Sequence, residues 1–168
     1  LMDSVTDAQY IVKLWDSHTK KELKSLKGHL KDITCYDFSP DSTQLVTGSI
    51  DHTLIIWDIA SGTALHVLRG HTTYLKLCSY SLDGQNIISL SNENTVKTWD
   101  VKSGKEVNSK SNPVKSCTMC SISPDKTKIL VIGSSRNLKL WNLLSENPPI
   151  TLEGFYTDPM HYAFAFSP

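Results

Sequence analysis

Ser49, His29 and Asp51 supply a nucleophile, a base and an acid to orient that base. These side chains cleave esters and amides when they fall into one hydrogen-bonded line. The serine lacks the Gly-x-Ser-x-Gly turn that lifts a nucleophile above a sheet. The same three positions recur 42 residues later as His71, Ser91 and Glu93, and a set that repeats in this way marks a structural device. Cys117-Thr118-Met119-Cys120 has the spacing of a redox or zinc pair. On a strand, however, residues three apart point to opposite faces, and no second Cys or His pair stands at ligand spacing. These cysteines, with Cys35 and Cys78, read as small buried apolar groups in a reducing setting. Phosphate-binding, dinucleotide and His-Glu-x-x-His motifs are absent from the sequence. The expectation is a protein that is not an enzyme and has no cofactor and no metal.

The elements that position these residues follow from a repeat. Trp15, Trp57, Trp99 and Trp141 are all the tryptophans of the chain, and each lies 42 residues after the last. Asp follows the first three and Asn142 the fourth. Gly28-His29 recurs as Gly70-His71, and Ser39-Pro40-Asp41 as Ser81-Leu82-Asp83 and Ser123-Pro124-Asp125. A period near 40 residues with such signatures predicts an all-β propeller of four-stranded antiparallel blades. In the cleanest unit, 28–69, short runs rich in apolar and β-branched residues lie between turn clusters at 33–38, 44–49, 53–58 and 64–68. The next unit, 70–111, gives strands at 75–80, 86–90, 95–99 and 106–108. Unit 112–153 gives 117–122, 128–132, 137–141 and 150–152. Partial units at 1–27 and 154–168 supply 1–5, 10–15, 22–26 and 162–166. About four blades are present in one domain spanning 1–168. Because the chain opens on Leu1 and stops within a repeat, it reads as part of a larger propeller. Further blades of the same chain, or a second copy, are needed to close the ring.

Composition narrows the partners. Lys plus Arg and Asp plus Glu number 17 each, so no net field draws nucleic acid or an anionic membrane. Only Arg69 and Arg136 are arginines, which argues further against direct phosphate recognition. No apolar run approaches the ~20 residues that span a bilayer, and no leader-like segment opens the chain. A cytoplasmic or at least intracellular location is expected, the nucleus included.

The Trp-Asp and Gly-His markers, in phase over four units, closely resemble those of the WD-repeat β-propeller family. The resemblance implies a scaffold that binds partner proteins or peptides. An alternative is a regulatory or sensor propeller within a larger signalling ATPase or assembly machine. It further implies a buried network of His, Ser or Thr, Asp and Trp in each blade. Here that network is His29, Ser49, Asp51 and Trp57 in the second unit, and His71, Ser91 and Trp99 in the third, where Glu93 replaces the Asp and is one methylene too long. The fourth unit keeps only Trp141, with Pro113, Gly133 and Ser135 at the other positions. In the first, Asp7 fills the turn position if that turn is longer, with Val5 at the hydroxyl position. By the same resemblance, partner contacts lie on the top face at Asp32, Thr34, Ile50, Tyr74, Lys76, Asn92, Ser116, Thr118 and Ser134. Tyr74 and Ile50 either anchor a partner or pack on neighbouring loops. Asp37, on an innermost strand, must be paired if buried. It either meets a backbone N–H or lines the wet channel.

Overall fold

The computed structural model describes residues 10–93, 95–111, 119–132, 138–145, 147–152 and 166. The expected strands at 1–5 and 162–166, apart from Phe166, lie outside these residues, as do Val5, Asp7, Pro113, Cys117, Gly133 and Ser135. The described residues form strands and turns with no helix. The first sheet pairs β1 (Ile11–Trp15) with β2 (Glu22–Lys27). The second runs in order through β3 (Ile33–Phe38), β4 (Gln44–Ser49), β5 (Leu54–Asp58) and β6 (Ala64–Leu68). The third holds β7 (Leu75–Tyr80), β8 (Asn86–Ser91), β9 (Thr95–Asp100) and β10 (Glu106–Ser111). The fourth holds β11 (Met119–Ile122), β12 (Lys128–Ile132), β13 (Leu138–Asn142) and β14 (Ile150–Leu152). Among the described residues every pairing is antiparallel between chain neighbours, and the sheets they form do not close into a ring. This is a partial propeller; in the three four-stranded sheets the first strand is innermost, whereas β1, which carries Trp15, corresponds to their third strand.

The middle strands carry continuous apolar runs because adjacent sheets cover both their faces. β4 and β5 are buried along nearly their whole length, whereas β6 and β10 are mostly exposed edges. Between the second and third sheets, Val46, Ile56 and Leu68 pack on Cys78, Tyr80 and Ile87. Between the third and fourth, Leu90 and Val96 pack on Ile129, Val131 and Trp141. Phe166 adds to a further cluster at Leu130, Ile132 and Leu138. β10 runs past its expected end at residue 108, its backbone paired with β9 as far as Ser111 opposite Thr95, and Lys97 on β9 reaches Glu106 (2.8 Å) and Ser109 Oγ (3.3 Å).

Two turns repeat with the period and explain the sequence markers. The Asp after each of the first three Trp residues caps its own hairpin: Asp58 Oδ1 accepts from the Ser61 amide (2.7 Å) and hydroxyl (2.6 Å). Asp16 and Asp100 do the same with Thr19 and Ser103. In the Ser-x-Asp turns, Asp41 Oδ1 accepts from Ser39 Oγ (2.6 Å) and the Thr43 amide (3.0 Å), and Asp83 and Asp125 repeat the pattern. Each of these turns ends on a residue of positive φ, at Ser42, Gly84 and Lys126.

Candidate interaction face

Beneath the rim of the second sheet lies a directional chain of hydrogen bonds. The Trp57 indole can only donate, and it donates to Thr47 Oγ1 at 2.8 Å. The Thr47 hydroxyl therefore has its own proton to give to His29 Nε2, also at 2.8 Å. That assignment leaves the proton of the His29 ring on Nδ1, which meets Asp51 Oδ2 at 3.0 Å. Asp51 also accepts from the Leu30 amide (2.8 Å) and from the Thr53 amide (2.9 Å) and hydroxyl (2.6 Å). Burial alone would raise its carboxyl pKa, but the Thr53 hydroxyl, the Leu30 and Thr53 amides and His29 outweigh this and lower it to about 2. Gly28 is required here because a Cβ would stand 2.8 Å from Trp57 Cη2.

The hydroxyl of this network is therefore Thr47, not Ser49, and in the third sheet Ser89, not Ser91. Residues two apart on a strand share a face, so the sequence pattern fitted either member of each pair. Ser49 serves the turn instead, donating to Lys31 O (3.0 Å) and accepting from the Asp51 amide (3.0 Å). Ser91 Oγ lies 3.4 Å from Thr95 O. The periodic counterpart in the fourth sheet is the fully buried Val131, which cannot take part.

In the third sheet the chain runs from Trp99 Nε1 to Ser89 Oγ (2.8 Å) and on to His71 Nε2 (2.7 Å), and there it stops. Glu93 reaches the Thr72 amide (3.2 Å) and the Thr72 hydroxyl but not the ring. His71 Nδ1 is buried with no hydrogen-bond partner. Burial, with the Lys97 charge second, lowers the His71 pKa to about 4.

Above these networks the rim residues fall into pairs. The Ile50 amide bonds Asp32 O, and the Asn92 amide bonds Tyr74 O, both at 2.9 Å. Tyr74 gives its hydroxyl to Asn92 Oδ1 at 3.0 Å, and Lys76 Nζ lies 5.7 Å from the centre of the Tyr74 ring. Tyr74, Lys76 and Asn92 thus form one cluster, with Ile50 and Asp32 paired on the neighbouring sheet. The Thr34 hydroxyl is taken up by Leu75 O (2.7 Å) and Gly48 O (3.2 Å), which ties the second sheet to the third. Ser116, Thr118 and Ser134 lie outside the described residues.

Asp37 meets a backbone N–H across a sheet boundary. Its Oδ2 accepts from Ser79 Oγ (2.6 Å) and the Tyr80 amide (3.0 Å). Lys126 of the fourth sheet donates to Ser79 Oγ at 2.8 Å and lies 3.6 Å from Asp37 Oδ2. Three sheets are joined by one polar bridge, which no sequence motif signalled. Cys35, Cys78 and Cys120 are free thiols. Among the described residues no group of three or more His, Cys, Asp or Glu side chains could hold a metal. Nor is any helix among them long and apolar enough to cross a membrane.

Three repeated four-stranded antiparallel sheets, each with a buried Trp at the same place (Trp57, Trp99 and Trp141), are propeller blades. Residues 20–58 and 62–100 each match the family described as "WD domain, G-beta repeat". These two stretches are WD repeats, a kind of repeat that generally marks a protein-interaction scaffold. The chain is similar to the "Guanine nucleotide-binding protein subunit beta-like protein" of Encephalitozoon cuniculi (strain GB-M1), with 39% identity over 44 residues. That match covers 26% of this chain and 13% of the relative.

Proposed function

We propose that this chain is a platform for a partner protein or peptide, held on the rim at Tyr74, Lys76 and Asn92, with Ile50 and Asp32 beside them. The observation that carries this reading is the Tyr74 cluster. An amphipathic aromatic, fixed by Asn92 and flanked by a lysine, offers a rigid anchor at low entropic cost. Ile50 adds an apolar β-branched side chain on a turn, where folding does not require one. Thr34 contributes little, because its hydroxyl is already committed between sheets. Ser116, Thr118 and Ser134 extend the same face under this proposal. In the intact protein the ring is completed by further blades or by a second copy of the chain, and we favour further blades. The test compares partner capture by the intact protein with that by Tyr74→Ala and Ile50→Asp. Both variants should lose at least about tenfold in affinity while the melting temperature stays unchanged. Normal binding by both would remove the rim from consideration.

A further inference from the structure

The interface between the third and fourth sheets holds an open cleft of about 540 Å³ on the outer side, away from the rim. It accompanies four departures from the repeat. One interface earlier, the Tyr80 ring packs with Val46, Ile56 and Leu68, and its hydroxyl reaches Gln44 Oε1 at 3.3 Å. Shifting by the period replaces Tyr80 with Ile122, Ile56 with Thr98 and Leu68 with Lys110. The new residues fill less space or turn away, and Lys110 Nζ points to Leu143 O at 3.5 Å. The outer lock is missing as well. His66 Nε2 lies 3.2 Å from Lys102 O in the earlier interface, and its counterpart Asn108 lines the cleft instead. Asn86, Ile88 and Thr98, the counterparts of Gln44, Val46 and Ile56, form the wall left uncovered.

We infer that this cleft is a second docking site, which takes an aromatic side chain, a tyrosine for preference, from an extended segment of a partner protein. The occupant is read from the chain itself, because the same wall one repeat earlier is covered by a tyrosine. Asn86 stands where Gln44 receives that phenol. The charges lining the cleft, Asp83 and Asp125 against Lys110 and Lys126, balance in sign, which suits a neutral occupant. The cleft is continuous with the packed core of the two sheets, since Ile88, Val96 and Leu143 belong to both. A polypeptide source fits the border. β10 contributes Val107 and Asn108 and is the outermost strand of its sheet, so its outer backbone groups can pair with an extended segment. Leu82, Val107 and Leu144 at the mouth are exposed, Leu144 by 79%.

The test titrates the full chain with N-acetyl-tyrosinamide and with a five-residue peptide bearing a central tyrosine, and follows backbone amide shifts. Alanine versions of both probes serve as controls. The tyrosine probes should shift Asn86, Thr98 and Lys110 saturably, at roughly millimolar concentrations for the amide and more tightly for the peptide. Ile122→Tyr rebuilds the Tyr80 arrangement. It should raise the melting temperature and weaken both probes at least about tenfold. Should Ile122→Tyr fail to fold, Thr98→Ile, which restores the smaller difference, decides through the same loss of binding. Equal shifts from the alanine probes would overturn the proposal. So would peptide binding no tighter than that of the amide, or shifts that survive in the folded variants.

Discussion

Shortening one side chain by a methylene should stabilise this protein. In the second sheet a single carboxylate, Asp51, serves His29 Nδ1, the Leu30 amide and both donors of Thr53. Glu93 occupies the same place in the third sheet, spends its oxygens on Thr72 and leaves His71 Nδ1 buried and alone. Glu93→Asp brings a carboxylate within reach of His71 Nδ1, the Thr72 amide and both donors of Thr95. An unmet buried polar group costs about 1–3 kcal/mol. Allowing for the Thr72 contacts given up, the net gain should be about 1–2 kcal/mol. For a chain of this size that is a rise of roughly 2–4 °C per kcal/mol. Asp51→Glu should cost a similar amount or more. A second signature comes from pH. The folded His71 pKa, about 4, lies below its ordinary 6.5. The unfolded chain therefore takes the proton first, and stability is full above pH 6.5 and falls as pH drops toward 4. At about 1.4 kcal/mol per pH unit the total loss is on the order of 3 kcal/mol. A carboxylate partner in Glu93→Asp raises the folded pKa and flattens that fall. Urea denaturation at pH 7 and pH 5 measures both effects. An unchanged midpoint together with an unchanged pH slope would refute the reasoning.

Trp57→Ala should cost more than Trp141→Ala in chemical denaturation. Both lose roughly 3–5 kcal/mol to the cavity, but only Trp57 also donates to a buried hydroxyl. Asp37→Ala should lose about 1–3 kcal/mol by leaving the Tyr80 amide unmet, while Lys126→Ala, whose amine is partly exposed, should lose under about 1 kcal/mol and show the greater salt dependence. Asp51 has a folded pKa of about 2 against an ordinary 3.8, so its contribution is present above pH 3.8 and lost as pH falls toward 2. Asp51→Asn should remove that acid limb of the stability curve, measured by thermal melts from pH 5 to pH 2.

The sequence carried the architecture because its signals are local and repeated. The strands from β3 to β9 fall within a residue or so of the expected bounds, since turn clusters flank them and both faces of the middle strands are apolar. The edge strand β10 was less legible: Glu106–Ser111 is largely polar, and its length is set by backbone pairing with β9 rather than by an apolar pattern. In the network the residue types were legible and one position was not. Thr47 and Ser49 share a face, and only the reach of the indole separates them. The cleft between the third and fourth sheets was hidden for the opposite reason. It comes from residues that depart from the repeat, and its volume depends on how two sheets meet. Nothing local marked the Asp37–Ser79–Lys126 bridge, whose partners lie 42 and 47 residues apart.

That bridge changes how the protein should come apart. When each repeat touches only its neighbours, stability is nearly a sum of unit and interface terms, and unfolding can begin at either end and stop anywhere. A contact that runs through Ser79 from the second sheet to the fourth adds a term between units that are not adjacent. With it, the third sheet cannot open without also releasing its two neighbours, so the three should exchange their slowest amide hydrogens at one common rate. In Lys126→Ala the fourth sheet should separate from that group and exchange first, because it also lacks the His–Thr–Trp chain that anchors the second.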